Sequence, residues 1–430
     1  MQRPDTRSVP VTGKVGRIAA IIRLQETNLS ALIDFASLRT QVPSHVPPEL
    51  VIDFNICDDG GMKQDVFQRL DALRKDAPPI AYSPYNGGHW MLFRETDIQT
   101  ALTTPDRFTT AHLNKFITAA IGAPFIPLGL EPPEHGAWRN VLIRYLGPAK
   151  IKQLEASVRV RAEELIGAVA DKRQCDFVSD VAVPMPITIF MELMGLPLEW
   201  FPEFRALAVR ILDPEGLYDP AQADDRAAAN GRVMQMLSEV IAERRAEPKH
   251  DLVSALIAEA VRGVPISPQE LLAVCYVLFL GGLDTVTNAM CFGMRYLALD
   301  AELQQELRDH PERIKETMEW LLRRSAFINI QRSVKVDTEF EGVAMKAGDM
   351  VWNIAWSGSN TPGEDKRGPH HYAFGTGHHM CLGMHLARLE LRVMYETWFK
   401  MIGPFTIPVD QPPIMEGGPV MHIKRMTLEY

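Results

Sequence analysis

Cysteine is scarce in this sequence and poorly placed for cross-linking. The 430 residues hold five, Cys57, Cys175, Cys275, Cys291 and Cys381. An odd number at wide spacing argues against a disulfide framework and fits a reducing cytoplasm. Long apolar runs are also lacking. The longest, Leu271 to Leu283, ends at Asp284 and falls short of the ~20 residues of a bilayer span. The N-terminal stretch Met1 to Leu24 has no compact apolar core followed by a small-residue cleavage site, so neither a signal peptide nor a membrane anchor is expected. Positive charge is not in excess. The net charge is −9, with Lys and Arg interspersed among the acids, and no basic stripe suits nucleic acid. Linkers rich in Gly, Ser or Pro, low-complexity tracts and solenoid-length repeats are absent as well. With 46% hydrophobic and 23% charged residues, the expectation is one large folded domain over residues 51–430. A weakly structured extension, residues 1–50, precedes it, and the protein is expected to be a monomer.

Helical periodicity dominates what is present. Ile151 to Ala170, Ala227 to Arg245 and Ala301 to Arg324 alternate apolar and charged positions at helical spacing. Strand-like segments are few. Ile80 to Phe93 carries the turn Asn86-Gly87-Gly88 and reads as a hairpin, and Val334 to Val351, with Lys346-Ala347-Gly348-Asp349, reads as another. The expected class is mainly α with small β-sheets. Ser267-Pro268-Gln269-Glu270 is a capping box, with proline at the first helical position. From it an apolar helix of ~30 residues, ~45 Å long, runs to about Leu297. Its apolar faces call for burial. Gly281-Gly282-Leu283-Asp284-Thr285 interrupts it, at a cost of ~1 kcal/mol per glycine. Close packing against a neighbouring helix accounts for such glycines as well as a flat ligand lying against the backbone does.

Cys381 stands in Tyr372 to Leu391, YAFGTGHHMCLGMHLARLEL, ahead of an amphipathic stripe formed by Leu382, Leu386, Leu389 and Val393. Unpaired N–H groups at a helix start favour a thiolate, and Gly375, Gly377 and Gly383 allow close approach of a ligand. Most lone cysteines are inert buried thiols, the expectation for Cys57, Cys175, Cys275 and Cys291. Zinc is an alternative at Cys381, because His370, His371, His378, His379 and His385 are near in sequence, although paired zinc-ligand spacings are lacking. An axial ligand to haem iron explains both the thiolate and the glycines.

Phe374-Gly375-Thr376-Gly377-His378-His379-Met380-Cys381-Leu382-Gly383 resembles the haem-binding signature of the cytochromes P-450, F-x-x-G-x-x-x-C-x-G. Three further stretches follow the family's order. Glu131 to Arg139 resembles its C-helix, Gly281 to Thr285 its oxygen-activating I-helix motif, and Glu319-Trp320-Leu321-Leu322-Arg323 its E-x-x-R helix. Asn86 to Trp90, Pro186 to Pro197 and Phe279 to Asn288 resemble the soluble, camphor-hydroxylating bacterial branch.

The resemblance implies the cytochrome P-450 fold, a long I helix over haem b, and haem-thiolate monooxygenase activity. Cys381 would be the iron's axial ligand, and Gly281, Phe374, Gly377 and Gly383 would belong to the haem site. His135, Arg139, Arg332 and His379 would hold the propionates, in keeping with the donors that buried carboxylates need. Asp284 and Thr285 would relay protons. Glu319 and Arg323 would form a structural ion pair, their four-residue separation placing them on one helix face. Substrate-pocket candidates are Phe116, Ile117, Ile121, Phe125, Ile126, Phe327, Ile328, Asn329 and Ile330. Lys115 to Leu130 lacks the branch's substrate-holding tyrosine, so a small apolar, terpenoid-like substrate is expected, selected by shape. O2 and a separate ferredoxin or flavodoxin donor with its NAD(P)H reductase are implied, since no flavin or iron–sulfur motif is present. Between Trp352 and Phe374 the chain is shorter than family members, with Lys366 or Arg367 as substitutes for a missing arginine. That shortening leaves a second reading open, a haem- or ligand-binding protein with impaired chemistry.

Overall fold

The computed structural model describes residues 39–112, 125–212, 223–361 and 370–430. It is mainly helical with small sheets. Strands β1 (Ile80–Ser83), β2 (His89–Leu92), β3 (Phe108–Thr109), β4 (Asn329–Val334) and β5 (Met350–Ile354) form one sheet in the order β1-β2-β5-β4-β3. A separate ribbon pairs β6 (Ile414–Glu416) with β7 (His422–Arg425). The first expected hairpin is β1–β2, and Asn86, Gly87 and Gly88 turn it with φ of 54°, 83° and 77°. Such left-handed positions suit glycine, which has no Cβ to clash.

The second hairpin is arranged differently from its sequence reading. The tight turn lies at Glu341-Gly342, between strands Thr338–Phe340 and Val343–Met345. β4 and β5 then pair across this excursion, Ser333 opposite Met350. The Lys346–Asp349 turn feeds β5 rather than closing a hairpin of its own.

The helices that position the site are α1 (Glu134–Leu146), α2 (Glu155–Ala170), α3 (Pro184–Met194), α4 (Phe201–Leu212), α5 (Ala223–Ala246), α6 (Pro268–Gly282), α7 (Asp284–Ala298), α8 (Ala301–Asp309), α9 (Ile314–Arg324) and α10 (Met384–Met401). The periodic stretch Ala301 to Arg324 divides into α8 and α9. Pro311 lies between them, and a proline ring cannot continue the helical ladder.

The long apolar helix is also divided. The capping box forms at its start: Ser267 Oγ accepts the Glu270 N–H, and a Glu270 carboxylate oxygen accepts the Ser267 N–H at 2.9 Å. α6 stops at Gly282, Leu283 turns aside (φ −99°, ψ −66°), and α7 restarts at Asp284. By length and composition, Pro268–Ala298 passes as a membrane span, longer than its uninterrupted apolar run suggests. Half of its most apolar window is buried within the fold. Phe279, Met290, Cys291 and Phe292 belong to the main core, together with Phe177 and Trp398.

The described part of the N-terminal extension is docked. Thr40 N–H and Oγ both donate to the Pro84 carbonyl, and His45 Nε2 lies 2.8 Å from Asp349 Oδ2.

Candidate functional site

The Cys381 N–H donates to the Phe374 carbonyl at 2.8 Å, closing the loop ahead of α10. Gly375 and Gly377 take φ of 65° and 72°. A Cβ at Gly377 would stand 2.8 Å from the Leu102 carbonyl oxygen, so this position has no room for a side chain. Burial pushes the Cys381 thiol up. The N–H groups of Gly383 and Met384, and the charges of Arg139 and Arg388, act in the opposite direction. The residue still presents exposed surface, unlike the buried Cys175 and Cys275, whose thiols burial pushes up to about 12.

A cluster rich in basic side chains adjoins the loop. The His135 and His379 rings lie 4.1 Å apart between centroids, tilted by 52°, and His379 Nε2 meets Thr110 Oγ at 3.1 Å. Burial takes His135 down to about 4 and His379 to about 2, with nearby arginines adding to the effect. Arg332 is brought down to about 10 by burial. His112 belongs here too: burial lowers it to about 4, against a backbone contact with Thr109 that acts the other way. His135 Nε2 and His379 Nδ1 are without hydrogen-bond partners. The carboxylate in this group is Glu131. Its Oε1 accepts from Thr109 Oγ and from the Thr110 N–H and Oγ, while Oε2 has no hydrogen bond and lies 3.8 Å from His378 Nε2. Buried donors left without acceptors are costly, and this surplus fits an anionic group such as haem propionates. Glu131 opens the Glu131–Arg139 motif, which pointed toward it, whereas His112 lies well upstream of that motif and had no sequence signal.

The zinc alternative at Cys381 fails on geometry. Among the described residues, the metal-capable side chains that converge within 4.8 Å are Glu131, His378 and His379, without Cys381.

The expected Glu319–Arg323 pair is corrected. Glu319 accepts from Arg388 Nε at 2.6 Å and Nη2 at 3.0 Å, and lies 3.2 Å from His371 Nε2. Burial alone would raise its carboxyl. Hydrogen bonds from His371 and Arg388 outweigh that and bring it to about 2. Arg323 is buried and donates to the Ser359 carbonyl at 2.7 Å. The cause is spacing. An E-x-x-R motif puts its glutamate three residues before the arginine, and Trp320 stands there. Glu319, one place earlier, reaches α10 instead, where Arg388 offers a two-pronged donor. Lys366 and Arg367 lie outside the described residues.

On α6 and α7, Gly281 is exposed, and a Cβ there would meet no atom within 4 Å. In an otherwise apolar helix this leaves backbone open to a flat ligand. Thr285 Oγ donates to the Gly281 carbonyl at 2.8 Å, bridging the break. Asp284 is only partly exposed. Its Oδ1 accepts from Asn288 Nδ2 at 2.9 Å and lies 3.3 Å from His422 Nδ1.

The substrate candidates divide. Phe116, Ile117 and Ile121 lie outside the described residues. Phe125, Ile126, Phe327 and Asn329 are buried. Phe327 stacks on Phe292, and Asn329 Nδ2 donates to the Gly418 carbonyl. Strand alternation explains the split: Ile328 and Ile330 keep partial exposure between these buried neighbours.

The Cytochrome P450 family profile matches residues 206–319. The Probable cytochrome P450 127A1 of Sinorhizobium fredii is 32% identical, over 90% of this chain and 97% of its own length. Linalool 8-monooxygenase of Pseudomonas putida is 29% identical, over 84% of this chain and 86% of its own. Among solved structures, CYP101J2 superposes with a TM-score of 0.81 at 32% identity, covering 91% of this chain and all of that one.

Proposed function

This chain belongs to the cytochrome P450 family of haem b monooxygenases, and on that premise we propose that it hydroxylates a small apolar, terpenoid-like substrate, drawing two electrons from a separate ferredoxin or flavodoxin system. It does so as a soluble cytoplasmic monomer. The observation that carries the site is Cys381, a residue with exposed surface just ahead of α10, whose sulfur is met by two backbone N–H groups and flanked by a basic cluster.

Cys381 would be the thiolate ligand, and His135, Arg139, Arg332 and His379, with His112, would hold the propionates. Gly281 would leave room for the macrocycle, and Phe374, Gly377 and Gly383 would shape the loop that carries Cys381. When bound, haem b activates O2 and inserts one oxygen atom into a C–H bond, assisted by electron donation from sulfur. The chain's own part is to exclude bulk water and supply protons. Thr285 Oγ, held at the Gly281 carbonyl, keeps its lone pairs available to orient a protic partner. Asp284 connects that position to the outer side of the helix. Ile328 and Ile330 offer apolar walls, which select by shape and size. A relative named for linalool supports the terpenoid class.

The test has two parts. The dithionite-reduced protein under carbon monoxide is expected to show the red-shifted Soret band of thiolate-ligated haem. Titration with linear and cyclic terpenoids is expected to shift the ferric spin state. A shift given only by steroids or macrolides would overturn the substrate class and leave the haem site standing.

A further inference from the structure

His422, on β7, reaches α7 from far along the chain. Its Nδ1 lies 3.0 Å from Asn288 Nδ2 and 3.3 Å from Asp284 Oδ1. These two neighbours suit different states of that atom. The Asn288 amide has two N–H groups for three acceptors, the Asp284 carbonyl at 3.0 Å, Asp284 Oδ1 at 2.9 Å and His422 Nδ1, so it donates to Nδ1 when that atom is unprotonated and keeps both Asp284 bonds when it is not. An ionised carboxylate can only accept, so it requires Nδ1–H. The same atom therefore faces one partner suited to each of its protonation states, and Asn288 also donates to Asp284 itself. An arrangement that served only to hold Asp284 still would not need a group of this kind.

The three side chains share a cavity of about 420 Å³, which Ser179, Arg205 and Lys424 also line. Asp284 and Thr285 are successive residues, about 100° apart around the helix. Asp284 lines this cavity, and Thr285, the next residue round the helix, is not among its lining residues. The charged groups facing the pair are Arg205, which donates to the Ser179 carbonyl, and Lys424, which is ion-paired with Glu416 at 3.0 Å. Asp176 contributes negative charge nearby, acting with Asp284 on Cys291.

We propose that His422 is a proton-transferring residue for this reaction, passing protons from the cavity behind α7 to Asp284. This rests on the monooxygenase reading above. His422 takes up a proton from water in the cavity, and Nδ1–H then faces Asp284 Oδ1. An N–H bond breaks, an O–H bond forms, and the ring returns to neutral, accepting again from Asn288. No oxidant or reductant enters this step. Histidine suits the work because its ring gains and loses a proton near neutrality.

The experiment compares the parent with His422→Phe and His422→Gln as holoenzymes. All three are first checked by the carbon monoxide spectrum and by ferric spin state with substrate. A parent lacking that spectrum would sink the monooxygenase reading itself, whereas the inference is judged by differences among proteins that show it. Product formation is expected to fall about tenfold in both variants, with a larger solvent deuterium effect. Both variants are expected to have a pH–rate profile flatter than the parent's. Parent-like rate and pH profile in His422→Phe would overturn the proposal. So would full recovery in His422→Gln, which keeps hydrogen-bonding groups but cannot carry the proton. Should His422→Phe fail to fold, His422→Gln alone decides. Ser179→Met, which narrows the cavity and leaves His422 intact, is expected to slow product formation in the same way, and an unchanged rate there would equally overturn the route.

Discussion

On the side of the Cys381 loop, Glu319, His371 and Arg388 join α9, the loop and α10 through three contacts on one carboxylate. On the side of the α6–α7 break, Asp284 and His422 meet at 3.3 Å beside a cavity of about 420 Å³. The first region is over-determined, because each charged group has a partner in a fixed geometry. The second leaves one nitrogen between two partners. The difference matches the work proposed for each. A thiolate must keep one position through every step, whereas a proton path must change state and return.

The sharpest way to break the comparison is Cys381→Ser. It is expected to abolish the red-shifted carbon monoxide band and reduce product formation to the assay background, while the distal helix keeps its fold by circular dichroism. Thr285→Ala addresses the other side. Haem content and the carbon monoxide band are expected to stay as in the parent, while product formed per NAD(P)H consumed drops about tenfold as reducing equivalents leave as hydrogen peroxide. Unchanged coupling would remove Thr285 from its role.

Glu319→Gln has the smallest expected effect and falls on stability. Arg388 and His371 would face a neutral amide, costing about 1–3 kcal/mol in urea unfolding, with substrate affinity unchanged. Its pH dependence has a definite sign. The folded carboxyl is held at about 2, below the ~4.3 of an unfolded chain. The stabilisation is therefore complete above ~4.3 and is lost as pH falls toward 2. Glu319→Gln is expected to flatten the unfolding profile in that acid window.

Much of this was legible in the sequence, for local reasons. The capping box, the Asn86-Gly87-Gly88 turn and the cysteine loop are short patterns in which neighbouring residues fix the backbone. The loss of periodicity at Pro311 was equally local, yet amphipathic spacing on both sides concealed it. The break at Leu283 was marked by two glycines, but glycine also serves close helix packing, so their presence did not decide between a kink and a continuous helix. Arg388 and His422 left no local mark. Their roles depend on α10 meeting α9 and on β7 meeting α7, contacts between segments 69 and 134 residues apart. The pocket was half legible. Period-two alternation places Ile328 and Ile330 opposite Asn329, but only the structure shows which face turns inward.

Because the glutamate at 319 is held from position 388 rather than from its own helix, the two positions are bound to a common fate in any lineage built on this plan. A change of charge at either would persist only alongside a matching change at the other. Library design should therefore vary them together, and paired variation there would separate kin that share this clasp from those that keep the shorter spacing.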